Sequence, residues 1–216
     1  MSSLLSVQPS LFGTTPPGET GVRAAGPLAG QLHRVQLDEC CWVDLLPGWL
    51  DPNDRLFERL LRRVPWRAER RVMYDRIVDV PRLVSFYRDG VRLPDPVLTS
   101  VRARLSEHYL PELGEPFATA GFCLYRDGAD SVAWHGDRIG RGAYEDTMVA
   151  IISLGAVRSL ALRPVGGGCS RRFDVGHGDL LVMGGACQRH WEHAVPKTAK
   201  ACGPRISVQF RVRGVA

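Results

Sequence analysis

Arg205-Ile-Ser-Val-Gln-Phe-Arg211 alternates polar with apolar side chains along its whole length. A strand sends successive side chains to opposite faces, so Arg205, Ser207, Gln209 and Arg211 share one face and Ile206, Val208 and Phe210 the other. With the apolar set against a hydrophobic wall, the polar set lines the interior of a barrel. Two buried guanidinium groups are expensive there unless they meet an anion. A dicarboxylate is the natural guest, because a guanidinium presents a planar fork that binds a carboxylate bidentately. The competing reading is a pair of arginines on an exposed edge strand.

Outward from this segment, the chain after Ala120 consists of short β-like runs separated by glycine turns. They are Gly121–Tyr125, Ser131–His135, Met148–Leu154, Ser159–Arg163, Arg171–Val175, Asp179–Met183, His190–Val195 and Ile206–Val212. Many short strands with glycine-rich turns make a sandwich or barrel, and about eight suit a double-stranded β-helix, or jelly roll. Upstream, Asp51-Pro52 offers an N-cap followed by proline, with Leu56, Phe57, Leu60, Leu61 and Val64 on one helical face. A second start at Asp95-Pro96 leads into Val97, Leu98, Val101, Leu105 and Tyr109, and Pro111 is expected to end that helix. Both helices should brace the outside of one sheet. Val72 to Arg88 reads as a hairpin or lid, and residues 1 to about 35, rich in Gly, Pro, Ser and Thr, as a flexible lead-in. The expected fold is mainly β with flanking helices. It is one domain over 36–216, with helices and lid over 36–119 and the jelly-roll core over 120–216.

A chain of 216 residues with 44% hydrophobic content can bury a real core without disulfides. No run approaches the length needed to cross a bilayer, and the start Met1-Ser-Ser-Leu-Leu-Ser-Val-Gln lacks the basic region and apolar core of a signal peptide. The expectation is therefore a soluble, intracellular, cytoplasmic protein with no membrane association. The six cysteines show no C-x-x-C pairing, which favours reduced thiols. Cys40-Cys41 admits a metal or redox site but reads first as two small residues near the edge of a core. A net charge of +5 is a mild pull toward anionic partners such as nucleic acid, with arginine clusters at Arg62-Arg63, Arg67, Arg70-Arg71 and Arg171-Arg172. A solvated helix face explains Arg62-Arg63 equally well, and nothing indicates a protein partner.

The chemistry concentrates in Trp134-His135-Gly136-Asp137. On a strand, His135 and Asp137 project together while Gly136 faces away, which is what a two-point metal clamp requires. With one further imidazole they make a face of an octahedral Fe(II) that leaves three positions open for a cosubstrate and O2, room that a closed zinc site lacks. His193, in Trp191-Glu-His193-Ala-Val-Pro-Lys197, is the third candidate; His190 and His177 have the same claim by residue type. Spacing to the H-x-D pair and the downstream arginines favours His193. His177, in Gly176-His-Gly-Asp179, reads as fixing a tight turn through a ring nitrogen.

Taken in order, Tyr125-Arg-Asp-Gly-Ala-Asp-Ser-Val-Ala-Trp-His135-Gly-Asp137, His177-Gly-Asp-Leu-Leu-Val-Met183, Trp191-Glu-His193-Ala-Val-Pro-Lys197 and Pro204-Arg-Ile-Ser-Val-Gln-Phe-Arg211 resemble the AlkB family of Fe(II)/2-oxoglutarate-dependent dioxygenases. The resemblance runs over roughly residues 120–213, and Pro81-Arg-Leu83 with Phe86-Tyr87 is similar to the family's segment ahead of the core. It implies a jelly roll with an N-terminal nucleotide-recognition lid. It also implies an enzyme that oxidatively dealkylates N-alkylated bases of the 1-methyladenine and 3-methylcytosine type in DNA or RNA. Such an enzyme takes Fe(II), O2 and 2-oxoglutarate and releases succinate, CO2 and formaldehyde. His135, Asp137 and His193 match the iron ligands, Arg205 with Tyr125 the holders of the distal carboxylate of 2-oxoglutarate, and Arg211 the arginine near its metal-binding end.

Three departures stand out. Cys123 and Ser207 occupy positions where the family commonly has asparagine, so the 2-oxoglutarate pocket loses amide donors while keeping both arginines. Arg138 and Ile139 stand where an acidic residue often meets the exocyclic amino group of the base, which an apolar Ile139 cannot do. A base inside a duplex cannot reach such a pocket, so the nucleotide must be single-stranded or flipped out. Tyr74, Phe86, Tyr87 and Trp134 are candidate stacking surfaces, each with core packing as the competing role. Arg82, Arg138 and Ile139 complete the candidate substrate contacts, and arginines between Trp66 and Arg71 could grip phosphates. Two other functions fit less of the pattern: an oxygenase of the same chemistry acting on a protein or small molecule, and a non-catalytic β-barrel binding module.

Overall fold

All eight β-like runs are strands in the computed structural model of the chain, which describes residues 27–51, 55–73 and 76–215. In chain order the elements are β1 (His33–Gln36), β2 (Cys41–Leu46), α1 (Leu56–Arg63), β3 (Arg67–Met73), β4 (Arg76–Tyr87) and α2 (Pro96–Leu113). There follow β5 (Thr119–Tyr125), β6 (Val132–His135), β7 (Val149–Gly155), β8 (Arg158–Pro164), β9 (Arg171–Val175) and β10 (Leu180–Gly185). The chain ends with the single turn α3 (Cys187–His190), β11 (Trp191–Val195) and β12 (Arg205–Arg211). One sheet has eight strands in the order β1-β2-β10-β7-β12-β5-β4-β3, the other four in the order β6-β11-β8-β9, and all pairings are antiparallel. This is the mainly β jelly roll with flanking helices.

Period-two alternation explains how one strand serves two cores. On β12, Ile206, Val208 and Phe210 are fully buried in the cluster that holds Leu56 and Leu60 of α1 and Leu98, Leu105 and Tyr109 of α2. Neighbouring strands add Phe122, Ala150, Ile152 and Val182 to the same side. The opposite faces, Tyr125, Val149, Ile151, Leu181 and Met183, meet Leu160, Leu162, Trp191 and Val195 of the small sheet. Arg205, Ser207 and Arg211 are buried with this second, inter-sheet layer. The helices thus brace the outer face of the large sheet, as their apolar stripes require.

Four strands of the large sheet come from before Thr119, so the expectation of helices and lid over 36–119 omits β1 and β2. Asp44 disguised β2 by putting a charge in the middle of an apolar run. It is buried on the helix side, where Arg34 donates to both carboxylate oxygens (2.7 and 2.8 Å) and the Tyr109 hydroxyl adds a third bond (3.0 Å). The guanidinium of Arg34 also lies 3.6 Å from the Trp42 ring centre. The lead-in boundary near residue 35 falls inside β1, and Leu28 already belongs to the core; residues 1–26 lie outside the described ones. The segment read as a hairpin or lid is the β3–β4 hairpin, which extends the large sheet at its edge. Among the described residues no helix is long and apolar enough to cross a membrane, and all six cysteines are free.

The helix starts and stops differ in detail. Pro52 lies outside the described residues, and α1 begins at Leu56 behind Arg55, which makes no side-chain cap. For α2 the Asp95 cap is present, its carboxylate accepting the Val97 N–H at 3.2 Å. Pro111 does not end this helix. It sits in the last turn, where little of the hydrogen-bond ladder remains to be lost, and Gly114 at φ 77° terminates the helix instead. Asp95 also accepts from Arg59 (2.8 Å) and Arg63 (2.9 Å), tying α1 to the start of α2. Asp95→Ala should therefore lower stability by about 1–2 kcal/mol, the usual cost of a lost cap, seen as an earlier urea midpoint at unchanged slope. Asp95→Asn keeps an acceptor and should recover part of the loss; an unchanged midpoint in the alanine variant would show that the cap contributes nothing.

Candidate metal and cosubstrate site

The H-x-D pair stands where β6 runs out. β6 and β11 pair His135 with His193 and Val132 with Val195, so one extra residue sits on β6 between the two contacts. That bulge turns both Val132 and His135 inward, where parity alone would send them to opposite faces. The two imidazole centres are 4.2 Å apart, and the ligand atoms of His135, Asp137 and His193 all lie within 4.8 Å of one another. Gly136 is what lets this strand end lie on the turn before β11, since a Cβ there would stand 2.9 Å from the Gln188 carbonyl oxygen and 3.3 Å from that of Trp191. A carbonyl can only accept, so the 2.9 Å contact from His135 Nδ1 to the Ala133 oxygen puts the ring proton on Nδ1 and leaves Nε2 as the donor atom toward an ion.

Burial, and then the neighbouring His135, push the His193 imidazolium down to about 3, and burial lowers His135 as well. Both rings are therefore neutral, the form that binds metals. Burial alone would raise the Asp137 carboxyl, but the charge and hydrogen bond of Arg211 act against it, and the group is held below the usual carboxylate range. Arg211 Nε donates to Asp137 Oδ2 at 2.5 Å, with both side chains buried. Two neutral nitrogens and one anionic oxygen converging in this way suit a divalent ion of the iron class, and among the described residues no fourth ligand joins the group to close the site.

The face beside this triad is set by β12 and its two neighbours. Register places Arg205 against Tyr125 and Gly155, and Ser207 against Cys123 and Ser153, so these side chains share the inter-sheet side. Arg205 is 1% exposed; its Nε donates to Ser153 Oγ at 2.8 Å and its guanidinium carbon lies 5.4 Å from the Tyr125 ring centre. Its Nη1 is buried with no hydrogen-bond partner. Burial pushes this guanidinium below its ordinary value, and a buried cation with an unmatched donor is the kind of group that a bound anion relieves. Cys123 and Ser207 are joined through Gln209, whose Nε2 donates to Ser207 Oγ (2.9 Å) and whose Oε1 accepts from the Cys123 thiol (4.0 Å). One glutamine thus restores an amide between the two positions that had lost theirs. Ser153 was missed by the sequence reading, though it is the polar residue of an otherwise apolar strand and has the same parity as Val149 and Ile151.

The remaining histidines go elsewhere. His177 Nδ1 accepts the Gly155 N–H at 3.1 Å, in the turn role expected of it. His190 meets Cys40 and Cys41 and not the triad.

The candidate substrate residues separate by face. On β4, Val84 pairs with Cys123 and Phe86 with Gly121, which puts Arg82, Val84 and Phe86 on the site side. Phe86 is 50% exposed there, and Gly121 leaves the space that Arg211 Nη1 uses, 3.1 Å from where a Cβ would stand. Arg82 donates to the Ser131 carbonyl (3.4 Å), and its charge acts on both Tyr125 and His135. Tyr87 points the other way and packs on Phe122 with ring centres 5.1 Å apart, so it belongs to the helix-side core and not to a stacking surface. Trp134 likewise takes the outer face of the small sheet, under the Arg163 guanidinium at 4.3 Å, in a network where Glu192 pairs with Arg163 (3.0 Å) and Arg138 (3.5 Å). Ile139 is 66% exposed on the loop after Asp137, and Tyr144 on the same loop, unnoticed in the sequence, is 86% exposed. Tyr74 lies outside the described residues.

The family model described as the 2OG-Fe(II) oxygenase superfamily matches residues 43–211, from β2 to the end of β12. The alpha-ketoglutarate-dependent dioxygenase alkB homolog 3 of Bos taurus is 32% identical over 190 residues, covering 78% of this chain and 65% of that protein. The DNA oxidative demethylase ALKBH2 of Homo sapiens is 28% identical over 214 residues, covering 90% of this chain and 80% of that one. The chain therefore spans just under two thirds of the length of the first of these relatives, at 65%. Among solved structures, an oxidoreductase of the 2OG-Fe(II) oxygenase family from Burkholderia pseudomallei shares the fold, with a TM-score of 0.55 at 16% identity over 81% of this chain and 86% of that one. With a family match from β2 to β12, the chain belongs to the 2OG-Fe(II) oxygenase superfamily, and within it the chain is similar to AlkB homologues over most of its length.

Proposed function

We propose that this chain is an Fe(II)- and 2-oxoglutarate-dependent dioxygenase that oxidatively dealkylates N-alkylated bases of the 1-methyladenine and 3-methylcytosine type in DNA or RNA. The observation that carries the reading is the pairing of a convergent His135, Asp137 and His193 with the partnerless Nη1 of Arg205 between the same two sheets. The three ligands hold the iron. Arg205, steadied by Ser153 and walled by Tyr125, receives the distal carboxylate of 2-oxoglutarate, with Cys123, Ser207 and Gln209 beside it. Arg211 keeps Asp137 ionised and oriented at the metal end. When bound, iron with 2-oxoglutarate and O2 supplies the oxidation: one oxygen atom ends in succinate as CO2 leaves, and the other on the N-alkyl carbon, whose hydroxylated form releases formaldehyde if it was methyl.

The protein's own work is placement and the exclusion of water. A flipped or single-stranded base enters on the side where Phe86 and Arg82 face the site, and Phe86 provides a ring on which a base can stack. The loop carrying Ile139 and Tyr144 offers exposed apolar contact beyond Asp137. No carboxylate at 138 or 139 meets the exocyclic amino group of the base. Exposed Arg62 and Arg67 add charge for phosphates, whereas Arg63 is engaged by Asp95.

Incubated with Fe(II), 2-oxoglutarate and methylated oligonucleotides, the protein should form succinate and formaldehyde in step, and His135→Ala and Asp137→Ala should abolish both. Succinate without formaldehyde from any lesion would favour a protein or small-molecule substrate; no succinate at all would favour a non-catalytic binding module. Arg205→Ala should raise the 2-oxoglutarate requirement by roughly 30-fold or more, from the ~2 kcal/mol lower bound for breaking a buried charged pair, with metal binding retained. An unchanged requirement would remove Arg205 from the cosubstrate site. Phe86→Ala should weaken the oligonucleotide KM by about 5-fold or more, from ~1 kcal/mol of stacking, while leaving substrate-free turnover of 2-oxoglutarate intact. Equal loss in both assays would make Phe86 structural.

A further inference from the structure

The proposed reaction leaves a second cluster of metal-binding side chains unused. Cys40 Sγ lies 3.9 Å from Cys41 Sγ and 3.5 Å from His190 Nδ1, and Cys41 Sγ is 4.0 Å from the same nitrogen. With Zn–S near 2.3 Å and Zn–N near 2.0–2.1 Å, a tetrahedral ion requires edges of about 3.8 Å between two sulfurs and about 3.6 Å between sulfur and nitrogen. The three observed separations lie within a few tenths of an ångström of those edges. We propose that Cys40, Cys41 and His190 bind a thiophilic divalent cation of the Zn(II) class, at a site separate from the His135, Asp137 and His193 triad.

Adjacent residues on a strand point apart, and their convergence here has a local cause. Cys40 precedes β2 in a tight turn, closed by Leu37 N–H donating to the Cys41 carbonyl (2.9 Å) and by Cys40 N–H donating to Asp38 Oδ1 (3.0 Å). His190 is delivered by α3, whose first turn is pinned to the same place by the Ala186 N–H to Cys40 carbonyl bond of 2.9 Å. That approach needs Gly185, at φ 63°, because a Cβ there would stand 2.0 Å from the Cys40 oxygen. Asp38 orients the group from behind: its Oδ1 lies 3.5 Å from Cys40 Sγ, and its Oδ2 accepts from Trp191 Nε1 at 2.6 Å. Cys187 is not a ligand, since its thiol turns to the Trp42 carbonyl at 3.9 Å. Cys40 and His190 are exposed, so an ion reaches the cluster from solvent and keeps one corner for water or an outside thiol. A soft ion is selected because two of the three donors are thiols. Bound there, it fastens the start of β2 to the turn that leads into the strand of His193.

The test is titration of the full, reduced, metal-free chain with Co(II), followed by displacement with Zn(II). The triad contains no sulfur, so a thiolate-to-cobalt charge-transfer band reports the second site alone. The band should disappear on adding Zn(II) and persist in the His135→Ala/His193→Ala double variant, where it should saturate at one equivalent per chain. It should be lost in Cys40→Ser and lost or strongly weakened in His190→Ala, with bound zinc falling from two equivalents to one in each. Both substitutions are at exposed positions, and circular dichroism verifies that the variants are folded. No thiolate band in the unaltered chain, or a band that His190→Ala leaves unchanged, overturns the proposal.

Discussion

Strand β12 carries the constraint on which the structure rests, because both its faces are buried and each has a different task. Ile206, Val208 and Phe210 complete the core beneath α1 and α2, while Arg205, Ser207 and Arg211 stand between the sheets. A slip of one residue in its pairing would exchange the two sets, putting guanidinium groups under the helices and hydrocarbon in the site. Flanking strands β5 and β7 hold the register along all seven residues of β12, which makes such a slip costly at every position at once. The same pairing that stabilises the sheet therefore decides where the charges lie.

Those charges do not balance within the cavity, and the imbalance is instructive. Arg211 is neutralised by Asp137, an ion pair whose other carboxylate oxygen remains for an ion held with two neutral imidazoles. Arg205 has no such partner; it has the Ser153 hydroxyl, an aromatic wall and an orphaned N–H. Folding a cation into that place costs stability, and an anionic guest recovers it, so affinity for a carboxylate is stored in the folded state. The motif resemblance to AlkB enzymes implies a carboxylate-binding arginine at position 205, and the unsatisfied donor lies on that same residue.

Several functional assignments turned on which side of a strand a residue occupies. Phe86 and Tyr87 are adjacent aromatics with equal claims in the sequence, yet β4 sends the first toward the site and the second into the helix-side core. Trp134 precedes His135 and for that reason faces the opposite way, into the Arg163 and Glu192 network. The bulge on β6 is the counter-example: without it, the parity that makes Val132 a core residue would have turned His135 out of the site.

Periodicity, glycine turns and the spacing of the H-x-D pair, His193 and two arginines were enough to establish the eight downstream strands, the two bracing helices, the candidate triad and the AlkB resemblance. These are local or repeated signals, written in residues close to one another or in motifs kept in order. Strands β1 and β2 escaped notice because Asp44 interrupts an apolar run, and its burial makes sense only once Arg34 and Tyr109 arrive from elsewhere in the chain. The same holds for Ser153 under Arg205, for Gln209 between Cys123 and Ser207, and for His190 beside Cys40 and Cys41. Each joins residues that antiparallel pairing and turn closure bring together across long stretches of chain. Sequence alone records the chemistry of such side chains; only the tertiary structure supplies the few ångströms between them on which hydrogen bonding and coordination depend.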